Sequence, residues 1–384
     1  MYEHIRDLVR ASVESGKAER STANASFVAG VERLLRTDQR IVVLPEHLDA
    51  DPWLLNTQTG IVDLKPGFVR PHDPAALCPK ITNAAIDATH GADLWREFPT
   101  GITQGDDETA AYLQRVAGYA ATGVTTEDVL VYLFGIGANG KDNFAEGAAH
   151  ALGDYARNFP SEVLMASKGE RHPTDLAQFL GVRFALTSEP SSSATWNDSR
   201  IKSPTGDTVI SARFMRADFF TLTRTHKTVV VGNHMPRLND VTHAIRRRVR
   251  MLPFRAVFEQ SPGVGMRERL KAEASGAILA WNVEGARLWH ATGTAPPKSV
   301  RSLTADYLSE QDEIGQWLDE RCERSVGAFE RSSGLHHNFK VWCDEQGARH
   351  KSNKELSAHL KSAGFEKKST MVGKVFYGLK LKDA

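Results

Sequence analysis

Residues 129–151 read VLVYLFGIGANGKDNFAEGAAHA, and the fold turns on this stretch. Positions 129–134 are a continuous apolar run, the pattern of a strand buried on both faces. Gly135-Ile-Gly-Ala-Asn-Gly-Lys141 follows, and Phe144, Ala148 and Leu152 then recur at helical spacing. The order predicts strand, glycine loop, helix. With Gly135-x-x-x-x-Gly140-Lys141 in the loop, it reads as a phosphate-binding loop. Gly135, Gly137 and Gly140, with Ala138 and Asn139 between them, let backbone N–H groups turn inward on phosphate oxygens. Lys141 supplies a mobile positive charge, and the helix amino terminus adds its dipole. The same glycines also spell G-x-G-x-x-G, the dinucleotide fingerprint. That reading makes no use of Lys141, and no second βαβ half supports it. Asp142, followed by Asn143, stands where a phosphate loop has the Ser or Thr whose hydroxyl binds Mg²⁺. A carboxylate binds the same ion but sets negative charge beside the phosphates.

Further short apolar strands follow. Positions 184–188 end in Glu189, 228–231 end in Gly232-Asn233, and 250–254 close the run. Helical connectors between them predict a parallel αβα core. Ligands of such sheets sit beyond the carboxyl ends of the strands. Lys141, Glu189 and Asn233 all fall at such ends. Hydrolysis of a γ-phosphate needs charge neutralisation, a metal and an oriented water. Lys141 suits the first, Glu189 the metal or the water, and Asn233 the sensing of phosphate. Taken singly, a strand-end Glu is a solvated carboxylate and a lone Asn a turn former. Their coincidence after a phosphate loop favours function.

Upstream, residues 1 to about 40 predict helix, with Val28, Val31, Leu34 and Leu35 as an apolar stripe. Positions 41–44 and 61–64 are strand candidates, with Gly60, Pro66-Gly67, Pro71 and Pro74 marking turns. A helix is expected from about 106 to 121, its first turn acidic and its face made by Leu113, Val116, Ala117 and Ala120. That face reads equally as internal packing or as an oligomer collar.

The 384 residues suit two or three domains. Hydrophobic content of 41% and charged content of 25% are those of a globular chain. Lys plus Arg number 48 against 47 Asp plus Glu, so overall charge indicates no nucleic-acid partner and any such affinity comes from local clusters. Cys78, Cys322 and Cys343 form no C-x-x-C pair, which argues against disulfides and structural zinc. No run reaches membrane-spanning length and no signal peptide is evident, so a cytoplasmic location without a membrane partner is expected.

Three basic clusters stand out. Arg246-Arg247-Arg248, with Arg250, precedes the last core strand. It reads as a solvated helix end or as an arginine finger delivered to a neighbouring subunit's nucleotide. Between Glu189 and Asn233, residues 196–220 carry Arg200, Lys202, Arg213 and Arg216 among Phe214, Phe219 and Phe220. Cations and rings together suit a DNA strand, through phosphate charge and base stacking. An amphipathic helix is expected over 265–291, and Pro296-Pro297 suggests a hinge before a last domain. There Ser352-x-x-Glu355 is a capping box, 375–379 reads as a strand, and Lys354, Lys361, Lys367, Lys368 and Lys374 are among the excess cations. Helix, helix, basic strand reads as a winged-helix DNA-binding module.

With these motifs in hand, the chain resembles the C-terminal helicase region of phage and plasmid primase–helicases, a branch of the superfamily 3 helicases related to poxvirus-type NTPases. LLNTQTGIVDLKPGFVRPHDP (54–74) is similar to the family's amino-terminal cap segment and GIGANGK (135–141) to its Walker A motif. HPTDLAQFLGVRFALTSE (172–189) resembles the approach to Walker B, RIKSPTGDTVISARFMRADFF (200–220) motif B′, and VVVGNHMPRL (229–238) motif C. AIRRRVRMLPF (244–254) resembles the arginine-finger segment. The resemblance implies an AAA+-like α/β ATPase with ATP and Mg²⁺ as cofactors. It would form a ring, usually a hexamer, acting on single-stranded and forked DNA in the replication of a phage, plasmid or integrated element within a bacterial host. It implies a cap segment at 1–104, a collar helix and ATPase core at 105–295, and a winged-helix-like domain at 296–384. Lys141 would be the Walker lysine, Glu189 the Walker B acid, Asn233 the sensor and Arg247, ahead of Arg248, the finger. Asp142 and Glu189 would hold Mg²⁺, and Lys202, Arg213 and Arg216 would lie on or near a pore hairpin.

The departures from the family pattern are Asp142, the single glycine of Thr205-Gly206-Asp207, and Arg224-Thr225-His226-Lys227 in place of an apolar segment. No acidic metal cluster of a primase is evident, so primer synthesis is not expected, though a separate primase partner is compatible with the rest. The residues leave three readings: an ATP-driven helicase, a nucleotide- and DNA-binding ring whose hydrolysis Asp142 impairs, and a copy-control protein acting through its winged helix.

Overall fold

The computed structural model describes residues 2–161, 173–187, 195–196, 201–202, 205–259, 265–371 and 373–382. The chain divides into two units, Met1–Ala50 with Asp73–Pro79, and Asp51–His72 with Lys80–Ala384. In the first unit the helices Tyr2–Glu14 and Ala25–Leu35 pair, the second capped by Asn24, whose side chain accepts from Phe27 N at 2.9 Å. The strand expected at 41–44 does not form. Ile41 N and Val42 N instead turn back to Asp38 O, each at 2.9 Å, and the apolar side chains stay exposed. A β-branched run without a partner strand has no ladder to join.

The second unit opens with an antiparallel meander, β1 Leu54–Thr57, β2 Gly60–Asp63 and β3 Phe68–Arg70. Helix Asp107–Ala121 follows. Asp106 caps it, accepting from Thr109 N at 3.0 Å and Thr109 Oγ1 at 2.6 Å, and these bonds hold its carboxyl below the usual range. The expected apolar face is buried, and the helix packs along Ser275–Thr292. That face is therefore used inside the chain.

The run at 129–134 becomes β4, Leu130–Phe134, inside a five-stranded parallel sheet. Its partners are β5 Ala156–Phe159, β6 Phe184–Thr187, β10 Lys227–Gly232 and β12 Val249–Pro253. Between β6 and β10 lie a short strand β7, Thr195–Trp196, and a hairpin of β8 Val209–Arg213 and β9 Phe219–Thr223; β11, Arg237–Leu238, pairs with β7. The sheet order is β12-β4-β10-β6-β5. Successive side chains leave a strand on opposite faces. Val131, Leu133, Val229 and Val231 join one core with Phe144 and Ile278, while Leu130, Tyr132 and Val230 join another with Ile245 and Trp196. Burial on both faces is why these strands read as unbroken apolar runs.

The second of those cores runs past the Pro296-Pro297 pair. Helix Lys298–Glu310 packs on β12, with Tyr307 and Leu308 buried, Thr304 Oγ1 accepting from Met251 N at 2.9 Å, and Tyr307 OH donating to Pro236 O at 2.6 Å. A separate apolar cluster starts at Ile314. It is built by helix Glu313–Arg321, β13 Cys322–Arg331, helices Ser332–Gln346 and Asn353–Ser362, β14 Glu366–Thr370 and β15 Gly373–Leu381. The three strands form an antiparallel sheet in the order β13-β15-β14. The capping box is present, with Ser352 Oγ accepting from Glu355 N at 3.2 Å and Glu355 Oε2 accepting from Ser352 N at 2.7 Å. Burial pushes the Cys322 thiol up to about 12 and the Cys343 thiol up to about 11, so both rest as inert core thiols.

Candidate functional site

Parallel pairing of Gly232 with Phe134 brings the ends of β10 and β4 to one edge of the sheet. The glycine loop leaves β4 there and enters helix Lys141–Leu152. Gly137, Ala138 and Gly140 have φ of +47°, +48° and +82°, which curls the loop back over its own N–H groups. At Gly140 an added Cβ would lie 2.5 Å from Ile102 Cγ2, so the turn needs both the backbone freedom and the space. Buried Asn139 braces the loop: Nδ2 donates to Phe254 O at 3.3 Å and Oδ1 accepts from Lys141 N at 3.3 Å.

Lys141 is buried, and its Nζ donates to Asn233 Oδ1 at 2.6 Å; Gly137 N reaches the same oxygen at 3.4 Å. Two of the three expected groups thus meet across neighbouring strand ends. Glu189, the third, lies outside the described residues, as does Arg200. Asp142 is half-exposed in the first helical turn, its Oδ2 3.4 Å from Lys141 Nζ. Asn143 follows, partly buried. A glycine-curled loop, an ammonium and an adjacent carboxylate are groups that suit a phosphate and a divalent cation.

The three arginines have three different environments. Arg246 pairs with Asp312 at 2.5 Å. Arg248 is buried, 3.1 Å from Asp128 Oδ2, and lies over Gly206, where an added Cβ would run into its Nη2. The one glycine kept in Thr205-Gly206-Asp207 is the one that this guanidinium needs. Arg247 keeps 57% of its side chain exposed, with Asp128 at 3.9 Å. Val249 pairs with Leu130 and Pro253 with Phe134, so the triplet sits at the edge of the sheet opposite the glycine loop. A strand of that length separates them by roughly 15 Å. Arg247 therefore lies at the far end of the strands from its own chain's loop.

The hairpin of β8 and β9 carries Arg213 and Arg216 at its tip, beside exposed Phe214, Met215 and Phe219. The Arg213 guanidinium lies 5.1 Å over the Phe219 ring, and Phe214 stacks on Phe220 at 5.1 Å. Lys202 is off the hairpin, half-buried in the short segment before Thr205.

A feature that polarity disguised in the sequence lies beneath the sheet edge. Arg183 Nη1 donates to Ala121 O at 3.1 Å, and Lys227 Nζ donates to Thr122 O, to Val124 O at 3.2 Å and to Thr225 O at 3.0 Å. Arg224 reaches Thr125 O at 3.2 Å and Asp128 Oδ1 at 3.1 Å. These cations satisfy carbonyls at and beyond the end of helix Asp107–Ala121, where its dipole is negative. Burial, with Arg183 and Arg224 nearby, holds the Lys227 ammonium well below its usual range. The Arg224–Lys227 run is thus a helix-end clamp. Asp128 is the carboxylate between buried Arg224 and Arg248. Asp128→Ala is expected to lower stability by about 3 kcal/mol, the low end for a broken buried pair, because the carboxylate keeps 32% exposure. Denaturant melts read this directly. A drop under about 1 kcal/mol would mean that the carbonyls hold the guanidinium groups unaided.

Comparisons with known proteins bear on this arrangement. Residues 1–104 match the family described as D5 N terminal like. The chain is 24% identical over 219 residues to "Putative helicase L207/L206" of Acanthamoeba polyphaga mimivirus, covering 55% of this chain and 23% of that protein. It is 25% identical over 262 residues to "Putative helicase 022R" of Frog virus 3, covering 62% of this chain and 26% of that one. The chain thus spans about a quarter of the length of these relatives. A solved apo structure of the NrS-1 C-terminal region aligns over 86% of this chain and 82% of its own, with 8% identity and a TM-score of 0.48. Residues 1–104 thus carry a D5-type amino-terminal segment, and the chain is similar over part of its length to two viral proteins named as helicases.

Proposed function

We propose that the protein is an ATP-driven DNA translocase of the superfamily 3 type, acting in replication as a ring with its nucleotide sites between subunits. The observation that carries this reading is the Lys141–Asn233 hydrogen bond of 2.6 Å at one sheet edge, with Arg247 exposed at the other. The parallel sheet order β12-β4-β10-β6-β5 supports reading the core as AAA+-like, and the succession of helix, strand, two helices and two strands from Glu313 onward supports reading the last segment as winged-helix-like.

In this reading the loop N–H groups and Lys141 hold the β- and γ-phosphates. Lys141 exchanges Asn233 for a phosphate oxygen, which frees the Asn233 amide to sense the γ-phosphate or orient a water. Asp142 and Glu189 would hold Mg²⁺, which would supply charge neutralisation. Arg247 completes the site of the adjoining protomer. Arg213 and Arg216 draw in a single strand by its phosphates, and Phe214 and Phe219 offer stacking faces.

The test is Mg²⁺-dependent ATP hydrolysis with and without single-stranded DNA, beside strand separation on a forked duplex. Stimulated turnover is expected, and its absence with both Mg²⁺ and Mn²⁺ would overturn the reading. The Asp142 carboxylate, 3.4 Å from the Lys141 ammonium, favours a second reading in which nucleotide binds but turns over slowly. Asp142→Ser is expected to raise turnover several-fold, by restoring the hydroxyl ligand and releasing the lysine. Equal or lower turnover would show the aspartate to be a competent metal ligand.

A further inference from the structure

The carboxyl-terminal segment contains a cleft of about 650 Å³ between helix Asn353–Ser362 and the sheet edge. Among the described residues, Arg331, Lys354, Lys361, Lys367 and Lys374 line it, and no acidic or aromatic side chain does. Among the described residues none of these five cations lies within ion-pair distance of a carboxylate. Neighbouring lysines behave differently: Lys351 pairs with Glu313 at 3.7 Å, Lys368 with Glu366 at 3.0 Å and Lys380 with Glu323 at 2.5 Å. The local acids are thus engaged elsewhere, and positive charge converges on one concavity. Within it, Lys367 Nζ donates to Ser357 Oγ at 2.6 Å and lies 5.0 Å over the Phe376 ring. Burial, then Lys374 and Lys361, make that ammonium less willing to keep its proton. A mutually repelling group of cations held by the fold is relieved by an anion.

We infer that this cleft grips the phosphate backbone of duplex DNA, at a surface separate from the hairpin that takes a single strand. The inference rests on the reading of the chain as DNA-acting, and two contrasts decide the ligand. Single-strand sites combine charge with aromatic stacking platforms. The β8–β9 hairpin has both, through Arg213, Phe214 and Phe219, whereas the cleft offers cations and hydroxyls with no ring to stack on. A duplex hides its bases and presents phosphates in closely spaced rows, which suits such a lining. Lys354 and Lys361 come from the helix, Lys367 and Lys374 from β14 and β15, and Arg331 from the end of β13, so the charges span a groove. Contacts of this kind position a duplex without reading its sequence.

The experiment compares the full chain with a Lys354→Gln, Lys361→Gln, Lys374→Gln triple variant, by fluorescence anisotropy on a blunt duplex and on a single strand across a salt series. All three lysines are exposed, so the fold is expected to survive, with unchanged melting midpoint and unchanged ATP hydrolysis. Duplex affinity is expected to fall at least about 10-fold, the salt slope to shrink by about 3, and single-strand affinity to stay within about 2-fold. The Lys→Arg triple is expected to restore duplex binding. Unchanged duplex affinity and slope would overturn the inference. So would an equal drop on single strand, or displacement of duplex by millimolar inorganic phosphate at constant ionic strength, which would mark a free-anion site. Lys141→Ala is expected to keep full duplex affinity, so the cleft can stand where the ATPase reading fails, and its own failure leaves that reading intact.

Discussion

Lys141→Ala is expected to abolish DNA-stimulated ATP hydrolysis, by about 10²-fold or more, while the protein stays folded. The size follows from position. The ammonium stands at the start of helix Lys141–Leu152, within the curl of Gly137, Ala138 and Gly140 and beside the loop's own N–H groups. In the developing transition state, negative charge spreads over the γ-phosphoryl oxygens, and a cation fixed in a protein-walled site acts on it with little screening. Truncation removes that charge and leaves Asp142 beside the phosphates with no counter-charge. Stability should change little, because the lysine gives up a hydrogen bond to Asn233 rather than core packing. Phosphate release with saturating single strand, beside a thermal melt, separates the two effects. Retained turnover, or a collapse of the melt, would remove Lys141 from the catalytic role.

How much of this was legible in the sequence depends on what each residue does. The parallel core was readable because strands buried on both faces leave unbroken apolar runs, and 129–134, 184–187 and 228–231 are such runs. The loop was readable because glycine at φ near +82° has few substitutes. The run at 41–44 misled, since β-branched composition reports willingness to pair but not the presence of a partner. The buried cations were hidden for the opposite reason. Arg183, Arg224 and Lys227 look like surface residues until the carbonyls that end helix Asp107–Ala121 appear beside them. The proline pair looked like a hinge, yet the helix after it buries Val300, Tyr307 and Leu308, a face that sequence spacing alone does not assign to a particular core. Three consecutive arginines are indistinguishable as letters in a chain. Only burial separates the one packed over Gly206 from the one left exposed.

That separation gives the second large effect. Arg247→Ala is expected to cut turnover by about 10³-fold, the scale of a missing arginine finger, while leaving nucleotide affinity within a few-fold. Its side chain is 57% exposed with one distant carboxylate, so truncation should not disturb the fold, whereas Arg248→Ala should lower stability by leaving Asp128 and Arg224 imperfectly matched. Because Arg247 lies at the sheet edge opposite its own loop, a finger role would require another protomer's nucleotide. A mixing experiment turns this into a sharp outcome. The Lys141→Ala protomer keeps Arg247, and the Arg247→Ala protomer keeps Lys141. In a head-to-tail assembly formed from equal amounts of both, about one interface in four joins an intact lysine to an intact arginine. Two inactive proteins should therefore recover roughly a quarter of wild-type turnover, if interfaces fire independently, and less if they are strictly coupled around the ring. If both residues served one chain's own site, no mixture of the two would regain activity at any ratio. A mixture that stays dead although the subunits co-assemble, under conditions where Lys141→Ala mixed with wild type lowers turnover only in proportion, would place the arginine outside the neighbour's site, and with it would fall the shared nucleotide site on which the translocase reading depends.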